Sequence, residues 1–233
     1  MENLVQIVMP VHNEAESIEE IIMEIYNEIS PRLPVEFIIC EDGSADGTKK
    51  ILLDLSKKIP MKLIMSNERK GYSQAFIDGL KNTSADYIFS LDSDGQFVPS
   101  DFWKLYEKKD DYDVIIGWRV HRADKSFRLL MSNGFRLLHK LLFRVPLHNP
   151  GCGFLLIKKD VIDSVVNELG VLKQGLWWEF TARVYRKGFK ITEVPIQHRL
   201  RYSGNTRVYT ITKIPGIAYA HIIGLLKIWK ETR

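Results

Sequence analysis

A chain of 233 residues with 45% apolar and 27% charged residues can bury one substantial core, and its composition excludes a disordered or fibrous chain. Net charge is only +4, but residues 1–116 carry 12 Lys and Arg against 22 Asp and Glu (−10), while residues 117–233 carry 21 against 7 (+14); the basic half is expected to face phosphates or an anionic surface. No run reaches the roughly 18–20 apolar residues of a spanning helix, and no RNA-binding, zinc-finger or helix-turn-helix pattern accompanies the basic half, so nucleic acid is not an expected partner.

In chain order, Met1-Glu2-Asn3 leads directly into strand-like sequence, so no secretory leader is expected. Residues 4–9 form a buried strand by their apolar run. Residues 14–29 have helical periodicity, with Ile18, Ile21, Ile22, Ile25 and Ile29 on one face. A second strand falls at 35–40, and Cys40 and Cys152 in apolar surroundings point to a reducing cytoplasm rather than a disulfide. A helix follows at 46–56 with Asp46 as its N-cap, a strand at 61–65, a helix at 72–81, a strand at 87–91, a helix at 99–108 with Pro99 in its first turn, and a strand at 113–117. The alternation predicts a mostly parallel sheet with helices on both faces.

In such sheets ligands bind beyond the carboxyl ends of the strands, and there the unusual polar residues fall. Pro10-Val11-His12-Asn13-Glu14 follows the first strand, Glu41-Asp42-Gly43-Ser44 the second, and Asp92-Ser93-Asp94-Gly95-Gln96 the fourth. Two carboxylates at i and i+2 repel each other unless a cation offsets the charge, and a hard divalent ion with a diphosphate suits them. Gln96 adds an amide oxygen or orients a bound water. An ordinary Asp-Ser-Gly turn is the competing reading. Asp42 has the chemistry to accept hydrogen bonds from a base or ribose, and Gly43 to let backbone approach a ligand; a plain strand-to-helix turn is the alternative. Glu14 suits either a nucleoside or the helix dipole. The dinucleotide fingerprint and the P-loop are both absent, against a dehydrogenase or a P-loop NTPase.

These segments, together with Asn67, Arg69-Lys70-Gly71, Ala75 and Gly79, resemble family 2 glycosyltransferases of the GT-A fold, most closely the polyprenyl- or dolichyl-phosphate sugar synthases. Asp92, Asp94 and Gln96 match that group's Asp-x-Asp-x-Gln. In the basic half Gly117-Trp118-Arg119, Arg128 with Ser132-Asn133, Asn149-Pro150-Gly151-Cys152-Gly153-Phe154, Val194-Pro195-Ile196, and Arg201, Gly204 and Thr206-Arg207 resemble further segments of the family; Asn149 and Cys152 stand where Asp and Ser are usual, and Thr206 and Arg207 where Ser and Lys are. The resemblance implies one GT-A domain over 1–233, with a nucleotide-sugar half (1–117) and an acceptor half (118–233) carrying carboxyl-terminal amphipathic helices. It implies inverting transfer of a hexose from a nucleoside diphosphate sugar, of the GDP-mannose or UDP-glucose type, to a polyprenyl phosphate. Mg2+ or Mn2+ is expected on Asp92, Asp94 and Gln96. The donor is expected on Pro10, Val11, Asn13, Glu14, Asp42, Gly43, Ser44, Lys70, Asp92 and Ser93. Asp94 is expected to carry catalysis with Arg119, Arg128 and Arg201, the arginines receiving the acceptor phosphate.

Relatives acting on sugar hydroxyls often carry a Glu-Asp pair whose Asp is the base, whereas here Trp177-Trp178-Glu179-Phe180 has no Asp. A hydroxyl nucleophile needs a base and a phosphate anion does not, so the departure favours the lipid phosphate, with Glu179 left as an alternative base. A same-fold enzyme acting on envelope polysaccharide and an inactive nucleotide-sugar-binding subunit are the competing functions. Read as a helix, 127–145 places Arg128, Arg136, Lys140 and Arg144 on one side and Phe127, Leu130, Met131, Phe135, Leu138, Leu141, Leu142 and Val145 opposite. Such a helix either lies in an anionic membrane interface or packs on the protein's own core, and 214–229 admits the same two readings. The expected location is therefore the cytoplasmic face of a membrane, held peripherally or by an anchoring partner.

Overall fold

The computed structural model describes residues 4–120, 126–201 and 214–233, with backbone alone for 126–131 and 214. Strand β1 (Val5–Val11) is buried along its whole length because it is a central strand covered on both faces, which is why its sequence is a continuous apolar run. It pairs in parallel with β2 (Val35–Asp42), Val5 opposite Val35, and on its other edge with β4 (Tyr87–Ser90), Val5 opposite Tyr87. Buried Gln6 is satisfied: its amide donates to Glu36 and Ser84, and its carbonyl accepts the Ser84 and Ala85 N–H groups. β3 (Met61–Ser66) extends the parallel half beyond β2.

Between these strands run helices α1 (Ile18–Ile29), α2 (Thr48–Leu55) and α3 (Tyr72–Leu80). The five isoleucines expected inward on α1 are buried. The helix starts four residues later than its periodicity suggests, because 14–17 close a turn through the Ser17 N–H to the Glu14 carbonyl and the Glu14 N–H is taken by Thr48 Oγ1. Gly47, with φ +97°, is the N-cap of α2. Asp46 stands one residue before it and caps from there, accepting the Thr48 N–H and hydroxyl. The segment expected as one helix at 99–108 divides into a 3-10 turn, Pro99–Asp101, and α4 (Phe102–Tyr106).

β5 (Val114–Arg119) runs two residues past its expected end. After α5 (Ser126–Phe143), β6 (Leu155–Lys158) enters antiparallel between β4 and β5. Then come α6 (Lys159–Val165), α7 (Leu176–Arg186), β7 (Ile191–Ile196) parallel to β5, and α8 (Ile214–Glu231). The sheet order is β3-β2-β1-β4-β6-β5-β7, mostly parallel as expected, and one buried apolar cluster extends from Val5 to Ile228.

Helices α5 and α8 pack on each other and on α7. The inward face of α5 carries buried His139 and Phe143, while Leu137 and Leu141 are 60% and 70% exposed beside exposed Arg136 and Lys140. Leu141 thus points outward with the basic residues rather than opposite them, because the turn holding His139 and Phe143 takes the core-facing position. No helix among the described residues is long and apolar enough to cross a membrane.

Gly79 marks where α3 meets the sheet: a Cβ there would lie 2.6 Å from Cys40 Sγ and Val8 Cγ1. Overpacking of about 1–3 kcal/mol outweighs the roughly 1 kcal/mol that Ala gains over Gly in a helix. Gly79→Ala is therefore expected to lower the urea unfolding midpoint; a midpoint equal to or above wild type would contradict this packing.

Candidate active site

The turns after β1, β2 and β4 converge where the strand order reverses, the position at which open α/β sheets bind ligands. A cleft of about 1300 Å3 opens there, lined by Pro10, Val11, Asn13, Glu14, Asp42, Lys70, Asp92, Ser93, Asp94, Arg119 and Arg201 among others. Eleven of the residues singled out in the sequence are thus brought together from both halves of the chain.

The nucleotide-side turns hold one another. Asn13, at φ +54°, gives its N–H to Ser44 Oγ at 2.9 Å and accepts the Ala45 N–H at 2.8 Å. Asp42 receives the N–H groups of Lys70 and Gly71 at 2.6 and 2.9 Å, and its carbonyl accepts His12 Nδ1–H at 2.7 Å. Lys70 pairs with Asp78 at 2.5 Å, which raises its pKa.

Three expected ligand contacts fall elsewhere. Gly43, at φ +68°, is needed because a Cβ would meet the backbone of Glu68 and Arg69 at 2.7 Å: the close approach is to this chain's own loop. Ser44 does not line the cleft; its hydroxyl is spent on Asn13 and its N–H on Glu41. Gln96 also lies outside the lining, its amide donating to the Arg199 carbonyl at 3.3 Å and its backbone N–H to Asp94 Oδ1 at 3.1 Å. It steadies Asp94 from behind. The side chain of Arg128 and residues 204–207 lie outside the described residues.

Burial raises the pKa of both Asp92 and Asp94; for Asp92 repulsion from Asp94 adds to this, and Arg119 and Arg201 work against it on both. Asp92 Oδ1 accepts the Tyr72 hydroxyl at 2.7 Å, and that oxygen in turn accepts Trp177 Nε1–H at 2.9 Å. Burial, then the Asp92 charge, drives the Tyr72 pKa well up, so Tyr72 stays a proton donor. Oδ2 of each aspartate makes no hydrogen bond among the described residues. Two hard oxygens aimed at one cleft, on carboxylates whose charge is poorly compensated, fit a divalent cation. Gly153 keeps this space open, since a Cβ would sit 3.1 and 3.2 Å from the Asp92 oxygens. Tyr72 and Trp177 were not singled out in the sequence as parts of the site: an aromatic helix face has no local mark of a hydrogen-bonding task, and their contact spans 105 positions.

Glu179, the alternative base, is fully buried. It pairs with Arg183 at 3.1 Å and accepts the Gly170 and Leu172 N–H groups, so it holds the loop before α7 and does not line the cleft. Arg201 reaches back to Glu14 at 2.8 Å, tying the basic half to the first turn. The far end of the cleft is aromatic: Phe135, Trp178 and His221 line it, with His221 4.5 Å from the Phe135 ring.

A match to the model of glycosyl transferase family 2 covers residues 6–166. The dolichol-phosphate mannosyltransferase of Pyrococcus furiosus is 29% identical over 215 residues, 88% of this chain and 59% of the relative. The undecaprenyl-phosphate 4-deoxy-4-formamido-L-arabinose transferase of Salmonella choleraesuis is 26% identical over 219 residues, 92% of this chain and 65% of the relative. The chain thus spans about three-fifths of the length of these curated relatives. Among solved structures, glucosyl-3-phosphoglycerate synthase from Mycobacterium tuberculosis, in complex with Mn2+, UDP-glucose and phosphoglyceric acid, superposes with a TM-score of 0.68 at 17% identity, covering 98% of this chain and 80% of that one. The sheet, with its acidic turn at the reversal of strand order, is the GT-A fold of glycosyltransferases. Within that class, the chain belongs to glycosyl transferase family 2.

His139, whose Nε2–H donates to the Trp178 carbonyl at 3.0 Å, and His221 are both held neutral by burial, with pKa values lowered to about 4. Unfolded histidines titrate near 6.5, so between pH 6.5 and 4 the unfolded state takes up protons that the native state refuses. The stability these groups contribute is present above pH 6.5 and is lost as pH falls toward 4, by on the order of 3 kcal/mol each. Urea midpoints measured across this window are expected to fall, and His221→Leu to flatten the fall; an unchanged slope in that variant would show that His221 is protonated in the native protein.

Proposed function

We propose that this chain transfers a hexose from a nucleoside diphosphate sugar to a polyprenyl phosphate, as a GT-A domain whose residues 1–117 bind donor and 118–233 acceptor. The observation that carries the reading is the Asp92–Asp94 pair opening into a cleft shared with Arg119 and Arg201. The names of the two relatives agree with it, since both act on lipid phosphates by name, and the Mn2+ and UDP-glucose in the synthase complex agree with a metal-assisted donor.

Asp92 and Asp94 would hold Mg2+ or Mn2+, with the donor diphosphate and water as the remaining ligands; among the described residues no three His, Cys, Asp or Glu side chains converge on a metal site by themselves. When bound, such an ion offsets charge on the departing nucleoside diphosphate. The chain's own residues do the rest. Tyr72, supported by Trp177, fixes the Asp92 carboxylate. Pro10, Val11, Asn13, Glu14, Asp42, Lys70 and Ser93 bind and orient the nucleoside and its phosphates. Arg119, Arg201 and, by family resemblance, Arg128 receive the acceptor phosphate and screen it from the donor phosphates. An acceptor phosphate oxygen then bonds to the anomeric carbon as the carbon–oxygen bond to the diphosphate breaks, with inversion and no protein nucleophile. The structural duty of Glu179 supports a phosphate acceptor, which needs no base.

The lipid acceptor calls for a membrane. Leu137, Leu141, Tyr219 and Ile223 are 48–70% exposed on α5 and α8, beside exposed Lys140 and Lys227, and this mixed face suits the headgroup region of the cytoplasmic leaflet. An anchoring partner is compatible with the same face.

Asp94→Ala is expected to reduce transfer at least about a hundredfold with an unchanged melting profile; near-normal turnover by purified variant with Mn2+ would remove the metal site from the mechanism. Leu141→Glu with Tyr219→Glu is expected to weaken sedimentation with anionic vesicles roughly tenfold or more, each apolar side chain being worth about 1.5–3 kcal/mol when buried; equal sedimentation would place the lipid contact elsewhere.

A further inference from the structure

The turn that carries Asp94 is gripped from outside the cleft. Arg199, in the segment after β7, gives its Nε–H to the Gly95 carbonyl at 2.5 Å. Its Nη1 and Nη2 donate to the two carboxylate oxygens of Glu24 on α1, at 3.0 and 2.5 Å. Its backbone N–H donates to the Gln96 carbonyl at 2.9 Å, and the Gln96 amide returns a bond to the Arg199 carbonyl at 3.3 Å. Next to this pair, Phe97 and His198 form an antiparallel bridge, and buried Asp101 accepts the Gln197 N–H at 2.6 Å. The segment 197–199 is thus stitched to the turn, and the Arg199 side chain joins both to α1. Neither Arg199 nor Glu24 lines the cleft, so whatever they contribute there passes through another group.

That group is a single peptide unit. The Gly95 carbonyl and the Gln96 N–H belong to the same plane: its oxygen accepts from Arg199, and its N–H donates to Asp94 Oδ1 at 3.1 Å. A planar trans peptide sets its oxygen and its N–H on opposite sides, so a guanidinium holding one end fixes where the other end points. Gly95, at φ +69°, has no Cβ to limit rotation of this plane, and the hold must come from a neighbour. A cation on the carbonyl also polarises the amide and strengthens its N–H as a donor. Glu24 keeps the guanidinium in the required plane, because a fork of N–H groups on a carboxylate has a defined orientation that a lysine, as a point charge, does not reproduce. We propose that Arg199 is a positioning residue for the metal-binding turn: through the 95–96 peptide it occupies Asp94 Oδ1 and leaves Oδ2 for the cation, with α1 as the anchor. This rests on the metal-assisted reading above and adds to it a residue on the far side of the turn.

The test uses the full chain with Mn2+ and either UDP or GDP, free Mn2+ being read by electron paramagnetic resonance, independently of any transfer. Arg199→Ala is expected to weaken Mn2+ binding with the nucleotide roughly tenfold, as the loss of an outer contact to a metal ligand does, and Arg199→Lys to recover only a minor part of it. Glu24→Gln is expected to act in the same direction, and combining it with Arg199→Ala to lose no more than Arg199→Ala alone. Nucleotide affinity without metal, measured by calorimetry, is expected to be unchanged. Wild-type Mn2+ affinity in Arg199→Ala, full recovery in Arg199→Lys, or metal-free nucleotide affinity falling in step would overturn the proposal, as would a wild type that binds Mn2+ with neither nucleotide. Selective loss of Mn2+ affinity in the variants, with no transfer to farnesyl phosphate by wild type, would uphold Arg199 and sink the transferase reading. Transfer by wild type, with Mn2+ affinity untouched by the substitutions, would do the reverse.

Discussion

Two carboxylates at the end of a buried strand are an unfavourable arrangement, and much of the surrounding structure answers it. Asp92 and Asp94 leave β4 where burial raises both pKa values and each repels the other. Tyr72 and Trp177 reach one of them from α3 and α7, Gln96 steadies the other, and Arg119 and Arg201 lend positive charge from the opposite half of the chain. These contacts reduce the repulsion without cancelling it, and a negative field remains at the mouth of the strand.

The charge asymmetry between the halves acquires a spatial meaning in the fold. The acidic half supplies the turns after β1, β2 and β4; the basic half supplies Arg119 and Arg201 to the same cleft. The Arg201–Glu14 pair joins the two halves directly, so that both signs of charge line one space.

The parallel half was legible because each of its strands is a short apolar run ending in polar residues, and each helix repeats at the helical period. Its helix starts were less so, because Glu14 gives its N–H across to Thr48 instead of opening α1, and Asp46 caps Thr48 from one residue before the N-cap while also accepting the Ala15 N–H. β6 and β7 were passed over: four residues, Leu155–Lys158, and a strand interrupted by Pro195 give little periodicity. In the site, the acidic pair stood out by residue type and order and Arg119 and Arg201 by resemblance, and the structure brings these four to one cleft. Gly43 and Ser44 carried the same motif signal yet serve loop-to-loop packing, since a glycine required by a neighbouring backbone and one required by a ligand look alike in sequence. Tyr72 and Trp177 depend on contacts made only in three dimensions.

The reversed direction of β6 has a consequence for how this architecture diversifies. Parallel strands present only their carboxyl ends to the cleft; β6, running against β4 and β5, presents its entry instead, and so delivers Asn149 through Gly153 to a rim otherwise built from strand exits. That approach segment belongs to the connection from α5, and it sets Gly153 against Asp92 and Asn149 against Arg119. An exchange of residues along it therefore reaches the acidic turn and Arg119 together, from a strand that runs against its neighbours.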